Sequence, residues 1–157
     1  MKGIYQIMKS MEQTLSSYEG INTVTIGDLS EIDLNMQTIY PLAHIELGQA
    51  IPPVGRDEGT VTHNMTIFVL DILDQTQTDA REEQETYWGN DNLLDVWHET
   101  MQTALQLVES LRRGDLFDAM IQLEAATLDP VYEAFENLLA GWTLSLTIKV
   151  PSSAYTC

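Results

Sequence analysis

Three histidines are the side chains of this sequence best suited to metal binding or proton transfer: His44, His63 and His98. His44 and His63 fall on two neighbouring predicted strands, and Glu46 follows His44 by two residues, so two imidazoles and a carboxylate could converge. Zinc sites in proteins use three or four ligands of these types. Histidines on a half-exposed sheet are the simpler interpretation, and we expect neither a metal site nor a cofactor.

Acidic residues offer a second possible chemistry, because paired carboxylates can act as general acid and base. They stand in pairs or around a histidine: Asp71 with Asp74, Asp115 with Asp118, and Asp95 and Glu99 beside His98. Turn formation explains the aspartate pairs, and a solvated helix face explains the group around His98. The sequence has no Gly-rich phosphate loop, nucleophile elbow or CxxC motif. We therefore predict that the protein is not an enzyme.

The charge of the chain is its most unusual bulk property. The 157 residues suit one domain, residues 1–157, and include 24 acidic and seven basic residues, which gives a formal net charge of −17. So few basic side chains disfavour binding along a phosphate backbone or at an anionic membrane surface. No apolar run reaches the roughly 20 residues that cross a bilayer, and the N-terminus lacks the apolar core of a secretory signal. Cys157 is the single cysteine, so an intrachain disulfide is excluded.

The first part of the chain predicts one helix followed by strands. Apolar residues recur every three or four positions over residues 4–18, which is helical spacing, and Gly20 follows as a helix cap. Residues 21–29 alternate imperfectly, as in a strand. Residues 35–50 alternate more clearly, and Pro41 inside them predicts an edge strand or a bulge.

A long hairpin is predicted next. Residues 60–73 form a strand that is half exposed at its start and buried on both faces at its end. The loop at residues 51–59, IPPVGRDEG, joins it to the preceding strand, so the two strands should pair in antiparallel fashion. Residues 74–92 are polar and acidic, which indicates a linker, a mobile loop or a poor helix.

The last part predicts a second helix and two strands. The helix follows Asn92, ends at Gly114 and carries an apolar stripe: Leu93, Trp97, Met101, Ala104, Leu105, Val108 and Leu111. Residues 119–128 are a predicted strand, and residues 129–142 a partly helical connection. In the final strand one face is apolar and the other polar: Leu144, Leu146, Ile148 and Val150 against Thr143, Ser145, Thr147 and Lys149. We expect this strand to pair with residues 119–128 and to pack its apolar face on a helix.

This order of elements predicts an α+β fold. Two main helices would pack on a mostly antiparallel sheet that contains the long β-hairpin, which makes a two-layer sandwich.

Four stretches, taken in order, resemble the tail terminator, or tail completion, proteins of long-tailed double-stranded DNA bacteriophages. They are the N-terminal helix, TIYPLAHIELG, VTHNMTIFVLDIL with the polar linker and helix behind it, and NLLAGWTLSLTIKVP. The resemblance implies a structural protein of the virion, made in the host cytoplasm, that forms a ring, typically a hexamer, at the head-proximal end of the tail. Such a ring ends polymerisation of the tail tube and offers a surface to the head or its connector.

The resemblance also implies partners. These are other copies of the chain, the tail tube protein and the neck, connector or portal-side proteins, while DNA passes through the lumen without specific binding. The expected contact residues lie in the hairpin loop and beside Pro41: Pro52, Pro53, Val54, Arg56, Asp57, Glu58, Tyr40 and Pro41. The acidic charge would keep phosphates away from the channel wall, or would serve only to keep the free subunit soluble.

Other functions remain open at this point. A neck protein that joins head and tail could have the same size and charge, and a tail tube subunit fits more loosely. A small ferredoxin-like ligand-binding protein or enzyme would need polar groups that converge in an apolar pocket, and only the two strand histidines and Glu46 offer any.

Overall fold

The computed structural model describes residues 3–28, 40–55, 59–73, 93–114, 121–134 and 139–155. These residues form two α-helices, five strands and a terminal 3-10 helix. In chain order they are α1 (Ile4–Ser16), β1 (Thr23–Ile26), β2 (Leu42–Ile51), β3 (Thr60–Ile72), α2 (Leu93–Arg113), β4 (Gln122–Ala134), β5 (Leu139–Pro151) and the 3-10 helix (Ser152–Tyr155).

The five strands form one sheet in the order β1-β2-β3-β5-β4. β1 is parallel to β2, and every other neighbouring pair is antiparallel. The predicted α+β sandwich and its β2–β3 hairpin are therefore confirmed. The final strand pairs with β4 as expected, but it also pairs with β3 along its whole length, so it occupies an interior position of the sheet.

Both helices pack on one face of the sheet, which we call the helix-covered face; the opposite side is the open face. The buried residues of this layer come from both helices, from three strands (β2, β3 and β5), from the positions just before β1 and β4, and from the 3-10 helix. They are Ile7, Met11, Leu15, Ile21, Ala43, Ile45, Met65, Ile67, Val69, Ala104, Leu107, Leu111, Ile121, Leu144, Leu146, Ile148, Val150 and Ala154. The predicted apolar face of the last strand lies here. Full burial of one such aliphatic side chain contributes about 1.5–3 kcal/mol before entropy is subtracted.

The two helices follow their predicted patterns to different degrees. α1 buries Ile7, Met11 and Leu15, as its periodicity predicts. It ends at Ser16, and the residue that caps it is Ser17, whose hydroxyl donates to the carbonyl of Thr14. The prediction of Gly20 as the cap is therefore wrong.

α2 is rotated relative to its predicted stripe. Its buried residues are Leu93, Val96, Thr100, Thr103, Ala104, Leu107 and Leu111. Two threonines therefore face the sheet, while Leu105 of the predicted stripe is half exposed. The Thr100 hydroxyl donates to the carbonyl of Val96 one turn earlier, which satisfies its polar group inside the core.

Bulges change which face the residues of two strands occupy. In β2 the register shifts between Leu47 and Ala50, where Gly48 lies so close to Asn64 that an added Cβ would sit 2.7 Å from its carbonyl oxygen. In β4 the register shifts between Leu123 and Ala125 and again between Val131 and Ala134. Each shift places one extra residue opposite the partner strand and reverses the alternation beyond it.

Two further predictions are wrong. Residues 129–134, assigned to a partly helical connection, continue β4, and β5 already begins at Leu139. Pro41 does not mark an edge strand, because it precedes β2 and β2 lies between β1 and β3. The predicted linker at 74–92 lies outside the described residues. No helix in the described part of the chain is both long and apolar enough to cross a membrane.

Candidate assembly surfaces

The distal half of the hairpin forms a projecting edge, which we call the arm (residues 47–55). β1 pairs with β2 only over residues 42–45, so residues 46–51 have no strand beside them on that side in the described structure. The arm exposes three apolar side chains, with Leu47 at 41%, Ile51 at 44% and Val54 at 90% of their possible surface. Within the described residues the arm is thus an unpaired sheet edge that exposes apolar side chains on both faces, with Leu47 on the helix-covered face and Ile51 on the open face. Such an edge is typical of an association site.

The predicted contact residues divide between two places. Pro52 and Val54 are exposed on the arm, and Pro53 beside them is half buried. Arg56, Asp57 and Glu58 lie outside the described residues. The remaining two predicted residues, Tyr40 and Pro41, are not on the arm.

Tyr40 and Pro41 stand at the opposite end of β2, and ten strand residues span about 30 Å. The carbonyl of Tyr40 accepts a hydrogen bond from the Asn22 side chain, and the carbonyl of Pro41 accepts one from the Asn22 backbone. Tyr40 also packs on the small cluster of Leu42, Leu70 and Leu139 on the open face. Through these contacts Tyr40 and Pro41 join β1 to β2. They lie at the far end of β2 from the hairpin loop that begins at Pro52.

A second apolar surface, which the sequence did not reveal, lies at the other edge of the sheet. We call it the shelf, and it consists of Leu94, Met101 and Leu105 on one flank of α2 with Ala126 and Tyr132 of β4. Leu105 is 49% exposed and Tyr132 60% exposed, and Ala126 is exposed as well. Leu94 and Met101 lie on the α2 flank of Trp97, because residues three or four positions apart share a helix face. Leu105 follows Met101 by one turn and lies further round α2, where it lines a groove with Tyr18. No described element covers the shelf.

Two tryptophans hold the shelf against the sheet. The Trp97 indole Nε1 donates to the carbonyl of Val131 in β4 at 3.0 Å. The Trp142 indole Nε1 donates to the carbonyl of Trp97 at 2.8 Å. The ring of Tyr132 meets the ring of Trp97 edge to face, with 4.9 Å between their centroids. The flank of α2 is therefore fixed beside β4, which gives the shelf a defined shape.

The candidate metal residues do not converge. His44 pairs with Phe68 and lies on the open face, whereas His63 pairs with Ile148 and lies on the helix-covered face. The Nε2–H of His44 donates to the carbonyl of Gly27 at 3.0 Å, and its Nδ1 accepts from the Thr25 hydroxyl at 2.7 Å. Both ring nitrogens of His44 are in hydrogen bonds, so neither is available to bind a metal ion. The described residues contain no group of three potential ligands.

His63 is buried and lacks one partner. Its Nε2 is hydrogen-bonded to the Tyr155 hydroxyl, whereas its Nδ1 has no partner. Burial lowers the pKa of His63 below 6.5 and raises the pKa of Tyr155 above 10, so both rings are neutral near pH 7. The third histidine, His98, is exposed and lies 3.2 Å from the Gln102 amide nitrogen.

A polar cavity of about 450 Å³ lies between the end of α1 and one flank of α2, and Asp71 and Glu99 are among the residues that line it. Burial raises the pKa of Asp71 above 3.8, and the charge of Glu99 raises it further. A carboxylate oxygen of Asp71 accepts a hydrogen bond from the Ile72 backbone at 2.8 Å, which opposes that rise. Asp74, Asp115 and Asp118 lie outside the described residues.

The open face is polar over most of β3 and β5. Six half-buried side chains with hydroxyl or amide groups cover it: Thr62, Asn64, Thr66, Thr143, Ser145 and Thr147. Lys149, the basic residue of this face in the described strands, forms a 3.0 Å ion pair with Glu124. The face therefore offers no unpaired cation to a phosphate within the described residues.

Comparison of the sequence with models of known protein families finds no match, and comparison with curated protein sequences finds none.

Proposed function

We propose that the protein assembles into a ring at the head-proximal end of a bacteriophage tail. In this position it stops growth of the tail tube and provides the surface to which the head or its connector attaches. The four stretches that resemble tail terminator proteins suggest this role. The structural observation that supports it best is the pair of unlike apolar surfaces, arm and shelf, on opposite edges of one sheet.

The positions of these surfaces favour a ring over a closed dimer. A symmetric dimer buries the same patch of both copies, whereas a ring needs two different patches that meet head to tail. The arm lies at the β2 edge and the shelf at the β4 edge, so one contact leaves a free arm at one end and a free shelf at the other. Repetition of this contact ends only when the ring closes.

The charge suits passage of DNA through such a ring. The sequence carries 24 acidic and seven basic residues, and like charges repel a phosphate backbone. On the open face, most side chains of β3 and β5 carry hydroxyl or amide groups, and the cation of Lys149 is paired. A channel wall of this kind would let DNA slide because it does not attract phosphates.

The proposal is tested with phage particles from which this chain has been deleted, with tail length measured by electron microscopy. We expect tails of uncontrolled length, since nothing ends the tube. Tails of normal length that do not join heads would instead assign the chain to the neck. Normal, infectious particles would reject both roles, and complementation with the intact chain is the control.

The polar cavity supports one alternative, a small ligand-binding protein. Its acidic lining favours a cationic ligand rather than a phosphate or a fatty acid. A thermal-shift screen with polyamines and amino sugars tests this alternative. A rise in melting temperature that is lost in Asp71→Asn would support it, and no rise with any compound would exclude this class of ligand.

A further inference from the structure

The 3-10 helix (residues 152–155), which we call the latch, is held to the sheet at both of its ends. The backbone nitrogen of Ser152 donates to the carbonyl of Gly59, at the start of the hairpin's second strand, over 2.6 Å. At the other end of the latch, the hydroxyl of Tyr155 is hydrogen-bonded to Nε2 of His63. The latch therefore closes over this histidine on the helix-covered face.

The latch buries little apolar surface of its own. Of its four residues only Ala154 is buried, while Tyr155 is 40% exposed and rests its ring over Gly3. The cost of lifting an element grows with the apolar area and the hydrogen bonds that it gives up. A single turn of this kind can therefore open at a lower cost than any strand beneath it.

His63, in contrast, is fixed in the sheet. It lies in the interior strand β3, where it pairs with Ala50 of β2 on one side and Ile148 of β5 on the other. Its side chain is 3% exposed, and its Nδ1 has no hydrogen-bond partner among the described residues. A proton taken up by the ring makes both nitrogens donors, so the Nδ1–H would have no acceptor. A buried charge in this position is strongly unfavourable.

None of the described charged groups is placed to compensate that charge. Tyr155 is the titratable group that the latch turns towards the ring, while β2 and β5 place Ala50 and Ile148 beside it. Burial alone lowers the pKa of His63, so no described charge acts strongly on the ring. The charged side chains of the surrounding elements lie on α1, at the end of α2 and on the open face: Lys9, Glu12, Glu109, Arg112, Arg113, Glu46 and Lys149.

We propose that the latch opens when His63 takes up a proton, while the sheet beneath it stays folded. Opening admits water to the ring, and water then supplies the missing acceptor at Nδ1 and solvates the charge. It also lifts the ring of Tyr155 from Gly3, so the start of α1 loses its cover. The response should lie at and below the ordinary histidine pKa of about 6.5. The latch is independent of the role proposed above.

Thiol accessibility tests the opening. In a Cys157→Ser background, Ala154→Cys places a thiol on the buried side of the latch, Val69→Cys places one in the core at β3, and Tyr5→Cys places one on exposed α1. Dithiodipyridine labels thiols in mild acid. From about pH 7 to about pH 5, labelling at position 154 relative to position 5 should rise at least about fivefold, since one proton can favour the open state by up to about tenfold per pH unit. Position 69 should stay protected.

Two substitutions identify the group that takes up the proton. His63→Gln cannot titrate, so the rise at position 154 with acid should disappear. Tyr155→Phe keeps the ring over Gly3 but loses the hydroxyl bond, so labelling at position 154 should be about fivefold faster at about pH 7. A rise that His63→Gln leaves unchanged, protection of position 154 throughout this pH range, or an equal rise at position 69 would overturn the proposal.

Hydrogen exchange gives a readout that does not depend on any variant folding. In the unsubstituted chain, the protection factor of the Ser152 amide should fall between about pH 7 and about pH 5, because the bond to Gly59 breaks as the latch opens. The amides in the middle of β5 should keep their protection over the same range. An unchanged protection factor at Ser152, or an equal loss along β5, would contradict the proposal.

Discussion

The hydroxyl group of Tyr155 is hydrogen-bonded to Nε2 of His63, which ties the terminal 3-10 helix to the middle of the sheet. The ring of Tyr155 also lies over Gly3, where an added Cβ would come within 2.6 Å of the ring. The two ends of the described chain therefore meet above His63. Because the His63 Nδ1 has no partner, protonation of this ring would place an uncompensated charge in the core.

This contact predicts that stability falls in mild acid. The pKa of His63 in the folded protein lies below 6.5, so the unfolded chain binds a proton first. The contribution of His63 to the free energy of unfolding is fully present above about pH 6.5. It is lost as the pH falls from there towards the pKa of His63 in the folded protein, by at most about 1.4 kcal/mol per pH unit. Unfolding with urea at about pH 7.5 and about pH 5 measures this loss, because the two pH values lie on either side of the ordinary histidine pKa of about 6.5.

The matched variants for this prediction are His63→Gln, which cannot titrate, and His98→Gln, which removes an exposed histidine. His63→Gln should flatten the fall of unfolding free energy with pH, and His98→Gln should leave it unchanged. Parallel curves for wild type and His63→Gln would show that another group is responsible.

A second prediction concerns the close approach of β5 to β3. Gly141 has a φ of 153°, and an added Cβ would overlap the backbone carbonyl of Val69. Gly141→Ala should therefore lower the free energy of unfolding by at least about 2 kcal/mol. Gly55→Ala is the control, since its Cβ would meet nothing within 4 Å, and it should change stability by less than about 0.5 kcal/mol. Similar unfolding midpoints for the two variants would argue against this packing.

A third prediction follows from the raised pKa of Asp71. A carboxylate that burial holds at a raised pKa costs stability at neutral pH. Asp71→Asn keeps an oxygen for the Ile72 backbone bond and removes the charge, so it should raise the free energy of unfolding at pH 7. The gain should vanish as the pH falls through the pKa of Asp71, where the wild-type carboxyl becomes neutral. The control is Asp129→Asn, which removes the charge of an exposed side chain. A gain of the same size in this control would show that the effect comes from net charge alone.

A fourth prediction concerns salt. Copies that each carry a net charge of −17 repel one another, and the Debye length falls from about 10 Å at 0.1 M salt to about 3 Å at 1 M. Self-association of the purified protein should therefore strengthen as sodium chloride is added. Sedimentation equilibrium measures this, with Leu47→Asp as the control that should respond weakly. Dissociation by salt would indicate an interface built on ion pairs rather than on apolar contact.

The clearest sequence patterns predicted the fold correctly. In β5 the alternation from Thr143 to Val150 is unbroken, so its buried face could be assigned residue by residue. The spacing of α1 was equally plain. β4 was assigned only in part because a bulge at Glu124 interrupts its alternation and Pro130 resembles the start of a turn.

The assembly surfaces were harder to predict from the sequence. The exposed loop at Pro52 and Val54 could be predicted from its composition, but the shelf could not, because Leu105 was counted among the core residues of α2. Two threonines, Thr100 and Thr103, take the inward positions and satisfy their hydroxyls on the helix backbone. A threonine whose hydroxyl bonds to its own helix backbone can be buried, so a prediction from apolar spacing alone places the buried face of α2 wrongly. The exposed apolar flank of α2 is then missed.

The most direct test of the central claim is a cryo-electron-microscopy reconstruction of intact phage particles at the junction of head and tail. We expect a ring of copies of this chain on the last layer of tail tube. Density for the chain in the capsid or at the distal tip of the tail, or a junction without it, would contradict the account.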